Sequence, residues 1–282
     1  MNFLRSSALF LFLPIAASFA QPAGVPYGSN EQAGHFLDVG DARIYYEIYG
    51  KGPPLLLLHG GLYGYIDEYA AQIPKLSEHF TVIAMATRGH GRSEVGAKPY
   101  TYRLFADDAA LLLKIAAKEP AVVIGFSDGA ITAMTLAAIH PELVKKAVVV
   151  GGGLGVAGLT DEGREFAENL TPESFARRNG KFVAARRQLM PDPTRWDDFI
   201  DKLRALYLGP VFIAAETVRQ IRCPVLLIGG DNDEYFVTRH FLEVRALIPG
   251  SSLVILPHCG HVDSLQRPMV LDDFILPFVN AP

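Results

Sequence analysis

Cysteine is scarce in this chain, with only Cys223 and Cys259 among 282 residues, so at most one disulfide is available. Even that one is not expected. Cys223 sits where one strand begins and Cys259 follows the end of its parallel neighbour. Those positions fall at opposite edges of a sheet, on the order of 15 Å apart, beyond disulfide reach. Positive charge is not in excess either. Lys and Arg number 26 against 30 Asp and Glu, a net charge of −4, and no concentrated basic face is present for nucleic acid. Internal repeats and low-complexity tracts are absent. The one apolar stretch of note, Ala8–Ala17, is too short to span a bilayer as a stable helix.

That stretch has another reading. Arg5 precedes it and Ser18-Phe19-Ala20 follows, a small-x-small cleavage pattern, so residues 1–20 are expected to be a signal peptide. The mature protein is then secreted or periplasmic, with no stable membrane insertion. No cysteine follows the cleavage site to carry a lipid. Residues 21–34 read as a flexible leader. Half of the residues are hydrophobic and a fifth are charged, the balance of a folded globular protein.

Beyond the leader, short apolar runs alternate with helical patterns. His35–Val39 and Arg43–Tyr49, split by Gly40-Asp41, suggest a hairpin. Leu55–Leu58 is solidly apolar, as expected for a strand buried on both faces. Thr81–Ala86, Ala121–Phe126, Lys146–Val150, Val225–Ile228 and Leu253–Leu256 repeat the theme. Ile66–His79, Arg103–Lys118, Ala130–His140, Tyr235–Leu247 and Ser264–Val279 lie between them with helix-like spacing. The alternation implies a mostly parallel, eight-stranded sheet with helices on both faces. Residues 155–209 break the rhythm. Trp196, Phe199, Ile200, Leu203, Leu206 and Tyr207 fall at helical spacing, and Phe175, Phe182 and Leu189 form a second stripe. This segment reads as a helical cap over a core made of residues 35–154 and 210–282.

Chemistry concentrates in Gly125-Phe126-Ser127-Asp128-Gly129, a G-x-S-x-G pattern between an expected strand and an expected helix. A sharp strand-to-helix turn strains the serine, and only small neighbours let strand and helix approach so closely. The turn presents the hydroxyl at a helix N-terminus, where developing negative charge is favoured. A nucleophilic serine needs a base. Among eight histidines, His261 lies in a loop just beyond the last strand, at the sheet edge that carries Ser127; His258 is its rival. The base needs an orienting carboxylate, and Gly229-Gly230-Asp231-Asn232-Asp233-Glu234 offers three acids. Asp233 is favoured because the turn carries it back toward His261, whereas Asp231 suits a turn cap. The oxyanion donors are expected to be the backbone N–H of Asp128 and that of Gly61 or Leu62, in the loop His59-Gly60-Gly61-Leu62. His59 itself reads as structural. Asp128, Tyr63 and Trp196 are candidate pocket residues.

His59-Gly60-Gly61, Arg88-Gly89-His90-Gly91-Arg92-Ser93, Gly125–Gly129, Gly230-x-x-Asp233 and Gly260-His261, in this order, resemble the α/β-hydrolase superfamily over nearly all of the mature sequence. The resemblance implies the α/β-hydrolase fold, a serine hydrolase with the triad Ser127, Asp233 and His261, and no cofactor or metal. It also implies a structural role for Arg88–Ser93, where Thr87 replaces a frequent Asp. The Ser127-Asp128 pair is similar to that of biphenyl hydrolase-like and valacyclovirase-type enzymes, in which an acid beside the nucleophile accompanies amino-acid ester substrates. Asp128 then either pairs with a substrate ammonium or simply faces the cap.

Three features have blander readings. Gly153-x-Gly155-x-x-Gly158 matches a dinucleotide fingerprint, but the next strand begins too late for a βαβ unit. His258, Cys259 and His261 lack metal-ligand spacing. Arg177, Arg178, Lys181, Arg186 and Arg187 read as a solvated helix face. The expected activity is cleavage of a small-molecule ester through an acyl-enzyme, falling below about pH 6.5 as the base protonates. Amide, peptide or C–C bond cleavage on the same triad, and a non-catalytic ligand binder, are the alternatives.

Overall fold

The computed structural model describes residues 24–281, so the expected signal peptide lies outside the described residues. From Gly24 onward the segment expected to be a flexible leader is instead tied into the fold. Its Gly28 and Asn30 N–H groups each donate to the Glu47 carboxylate at 2.8 Å. The Tyr45 and Tyr49 hydroxyls donate to the same group at 2.8 and 2.7 Å. Glu47 is fully buried, and burial of a charge is tolerable only with such hydrogen bonds. This internal acid is what orders the leader.

The sheet has eight strands in the order β1-β2-β4-β3-β5-β6-β7-β8. The hairpin β1 (Gly34–Asp38) and β2 (Arg43–Tyr49) is antiparallel, and β2 also pairs antiparallel with β4 (Thr81–Met85). The strands β3 (Pro54–Leu58), β4, β5 (Ala121–Phe126), β6 (Val144–Val150), β7 (Val225–Gly230) and β8 (Ser252–Leu256) run parallel. In β3, Leu56 and Leu58 point into one core layer and Leu55 and Leu57 into the other, the two-residue period of a pleated strand covered on both faces.

Two expected helices are broken. Ile66–His79 becomes a 3₁₀ turn at Ile66–Tyr69 followed by α1 (Ile73–Leu76), because Pro74 has no N–H to continue the ladder. Ser264–Val279 becomes α9 (Asp263–Gln266), an interruption at Arg267 before Pro268, and a continuous helical stretch that is π-wound over Val270–Ile275 and ends as α10 (Leu276–Asn280). The long helices α2 (Tyr102–Ala116) and α3 (Asp128–Ile139) form as expected, as does α8 (Thr238–Leu247) after an irregular lead-in.

Residues 155–209 carry α4 (Asp161–Asn169), α5 (Pro172–Leu189) and α6 (Trp196–Tyr207). An antiparallel bridge between Gly155 and Val211 closes the base of this insertion, and the short α7 (Ala215–Val218) leads back to β7. The helix α5 kinks at Asn179, whose φ of −127° and ψ of 32° are not helical. Below the kink, Arg186 donates to both carboxylate oxygens of Asp67, at 3.0 and 3.1 Å, and to the Tyr63 carbonyl. Cys223 and Cys259 are free thiols. No helix among the described residues is long and apolar enough to cross a membrane.

The Arg88–Ser93 loop is held from within. Arg88, with no exposed side-chain surface, donates to Asp108 at 2.6 and 3.0 Å and to both oxygens of Asp41. Removing one member of such a set leaves uncompensated buried charge. Arg88→Met is expected to lower unfolding stability by roughly 3–5 kcal/mol, measured by urea denaturation monitored by circular dichroism. A loss under about 1 kcal/mol, the worth of a surface pair, would contradict a structural role for the loop.

Candidate active site

Strand β5 ends and α3 begins with no spacer between them but Ser127, which has φ 53° and ψ −116°. Ser127 and His258 are the non-glycine residues with positive φ among those described, and for Ser127 this conformation is costly. The two glycines explain how it is sustained. A Cβ on Gly125 would strike the Gly129 carbonyl, and one on Gly129 would strike the Leu58 carbonyl on β3. Helix and strands therefore meet backbone to backbone. Ser127 N–H donates to the Val150 carbonyl at 2.8 Å, fixing the turn from the other side. The hydroxyl is left facing a cavity of about 1240 Å³ beneath the cap.

The loops after β7 and β8 supply the next two residues. His261 Nδ1 and Asp233 Oδ2 are 2.8 Å apart, both buried. The other Asp233 oxygen accepts the Tyr235 and Phe236 N–H groups at 2.9 Å, which aims the carboxylate. Burial disfavours a charged imidazole, but the Asp233 charge and hydrogen bond outweigh it, with the Glu234 charge adding to them. The His261 pKa is thereby raised above the usual 6.5. The imidazole rests against Phe126, with ring centroids 4.9 Å apart, and lines the same cavity as Ser127. His258, its rival in sequence, is exposed and lies off the cavity. Asp231 accepts the Cys259 N–H, tying the two loops together. Glu234 accepts the His261 N–H at 2.7 Å.

The loop after β3 is equally fixed. Thr87 N–H donates to His59 Nε2, which assigns the proton to Nδ1, and that nitrogen lies 2.6 Å from the Gly60 carbonyl. Burial pushes His59 down to about 4, so it stays neutral and structural. Gly60 N–H donates to Glu68 at 2.7 Å. None of the Gly61, Leu62 and Asp128 N–H groups has a hydrogen-bond acceptor among the described residues. Neither of the two donors expected from this loop, Gly61 and Leu62, is engaged among the described residues.

Asp128 projects into the cavity and is clamped by phenols. Tyr102 of α2 donates to one oxygen and Tyr207 of the cap to the other, each at 2.9 Å. Enclosure raises its pKa to about 6, against the lowering effect of Tyr207, Tyr102 and the His261 charge. Tyr63 lines the cavity as expected and packs edge-on to Phe175. Trp196 does not line it. It is 3% exposed and packs among Phe175 and Phe199, because the face of α6 that carries it turns toward the core while Tyr207 turns toward the cavity. The glycine run Gly153–Gly158 packs on Phe236 and His240 and belongs to the cap's base. Sequence reasoning missed Glu68, Glu234, Tyr102 and Tyr207 as site residues. Glu68 carried a faint signal, an acid amid Ile66, Tyr69 and Ile73.

In an NMR titration the His261 imidazole is expected to titrate above pH 6.5, and Asp233→Asn is expected to move that midpoint downward. A midpoint unmoved by the substitution would show that Asp233 does not govern the imidazole.

A model of the alpha/beta hydrolase family matches residues 55–273. A 2-hydroxy-6-oxo-6-(2'-aminophenyl)hexa-2,4-dienoic acid hydrolase from Metapseudomonas resinovorans is 27% identical over 267 residues, 87% of this chain and 90% of that protein. Serine hydrolase BPHL from Homo sapiens is 26% identical over 230 residues, covering 79% and 78%. Among solved structures, a hydrolase from Pseudomonas aeruginosa PA01 matches with a TM-score of 0.71 at 25% identity, over 89% of this chain and 100% of that one.

Proposed function

The chain belongs to the alpha/beta hydrolase family, and from that premise we propose that it is a serine-dependent hydrolase cleaving carboxylic esters of small molecules. The observation that carries this reading is the buried 2.8 Å contact between Asp233 and His261, opening onto the cavity that Ser127 faces. Asp233 holds the imidazole with its proton on Nδ1, so that Nε2 accepts the Ser127 proton. The serine oxygen attacks the ester carbonyl, and the tetrahedral oxyanion is held by the Gly61 and Asp128 N–H groups. The C–O bond breaks and the alcohol leaves with the proton from His261. Water, deprotonated by His261, then attacks the acyl-enzyme, and the carboxylic acid and free Ser127 result.

A wide, largely apolar cavity favours a bulky acyl or alcohol group. An aminoacyl ester is the special case, since an ammonium entering beside Asp128 would offer that enclosed carboxylate a counter-charge. The likeness to the human serine hydrolase BPHL supports a serine nucleophile, and residues 1–20 support export to the periplasm or the medium. Mass spectrometry of the exported protein should then find an N-terminus at Gln21; retention of Met1 would count against export.

Purified protein is expected to turn over p-nitrophenyl esters, and Ser127→Ala to lose at least about 10⁴-fold in kcat with an unchanged circular dichroism spectrum. The acid limb of kcat/KM should lie above pH 6.5, because the His261 pKa is raised and the protonated form cannot act as base. Retention of most activity by Ser127→Ala would remove the nucleophile assignment. A folded protein inert to every ester would favour a different bond or a ligand sensor.

A further inference from the structure

Glu68 sits in the 3₁₀ turn Ile66–Tyr69, is 6% exposed and lines the cavity. One of its oxygens accepts the Gly60 N–H at 2.7 Å, and the other lies toward Gly60 Cα. It is therefore bonded to the residue immediately before the free Gly61 N–H. A carboxyl in such a place is normally matched by a cation, yet among the described residues no cation hydrogen-bonds to it. Arg186 of α5, whose charge reaches it, is bound at both Asp67 oxygens. His59, on the same loop as Gly60, stays neutral with a pKa of about 4. Asp67, beside it in the chain, repels its charge. His261, from the loop after β8, is the remaining charged partner, and it carries charge during turnover and as pH falls through its raised pKa.

We infer that Glu68 is a positioning residue for the oxyanion loop, and that it serves in its neutral form, so that its ionisation closes the working pH range from the alkaline side. The inference rests on Ser127 being the nucleophile. Held neutral, Glu68 anchors Gly60 through an acceptor oxygen and so fixes where the Gly61 N–H points, without placing an anion beside the developing oxyanion. Ionised, it keeps the hydrogen bond but sets a buried negative charge against a second one forming on the substrate. Burial raises the Glu68 pKa to about 8, the Gly60 N–H opposing that rise without cancelling it. Neutral carboxyl is therefore the prevailing form at pH 7.

Glutamine separates the two roles, since its carbonyl still accepts the Gly60 N–H but its charge never changes. The test follows the rate at which a fluorophosphonate probe labels Ser127 from about pH 6 to about pH 10, a range that brackets the Glu68 pKa of about 8. Ester turnover is measured in parallel. Wild-type protein is expected to slow as pH rises through about 8. Glu68→Gln should match it within about twofold at neutral pH and then hold its rate in alkali. Glu68→Ala should lose roughly tenfold in kcat, less than deletion of a donor itself, with KM within about twofold. An alkaline fall retained by Glu68→Gln, or a wild-type rate in Glu68→Ala, overturns the inference while leaving Ser127 in place. Failure of wild-type protein to label overturns the nucleophile, and this inference with it.

Folding provides a readout independent of turnover. The native chain holds this proton more tightly than the unfolded chain does. The group's contribution to stability is thus complete below about pH 4.5 and is lost as pH rises through about 8. Glu68→Gln is expected to flatten that decline in thermal unfolding. An unchanged slope would mean that the carboxyl is ionised already, contrary to the inference.

Discussion

The close approach of β3, β5 and α3 at Ser127 is the constraint on which the site depends. Gly129 rests on the Leu58 carbonyl and Gly125 on the Gly129 carbonyl, so the strands and the helix are as near as backbones allow. That proximity leaves Ser127 no ordinary conformation. The φ of 53° is sustained by the sheet, whose central strands are buried on both faces. The rest of the site is arranged around this fixed point. The loop after β3 lies alongside because β3 is the immediate neighbour of β5, and the loops after β7 and β8 reach it from the other side. A parallel sheet brings the carboxyl ends of its strands to one edge, which is why residues as distant in sequence as Ser127 and His261 share a cavity.

Much of this was legible in the sequence, and the reasons are specific. Leu55–Leu58 announced a doubly buried strand by having no polar alternation. Gly125-x-Ser127-x-Gly129 announced the turn because steric crowding admits only those residue types there. Asp233 and His261 were legible from their places after the last two strands. The helices at Ile66–His79 and Ser264–Val279 were misread because apolar spacing is blind to the prolines that interrupt the hydrogen-bond ladder. Trp196 was misread for a related reason. A helical stripe shows which residues share a face, but not whether a neighbouring element covers that face.

The hydrogen bonds that finish the site were hardly legible at all. Tyr102 and Tyr207 converge on Asp128 from α2 and the cap, and Arg186 reaches Asp67 from α5. Each pairing spans distant segments and depends on the exact placement of a side chain, which periodicity does not encode. They also give the cap a chemical purpose beyond coverage. Its α6 helix closes the environment of Asp128, and the lower half of α5 is locked to the core beside the loop after β3.

Glu47 changes where the foldable unit begins. The family match starts at residue 55, which would place the hairpin and everything before it outside the shared region. Yet two of the four donors to this interior carboxylate come from Gly28 and Asn30. A chain trimmed to Gly34, at the start of β1, would retain the acid and its two tyrosines but strand half of its solvation inside the protein. The self-sufficient unit therefore reaches upstream to about Val25, which packs against the core and accepts the Tyr27 N–H.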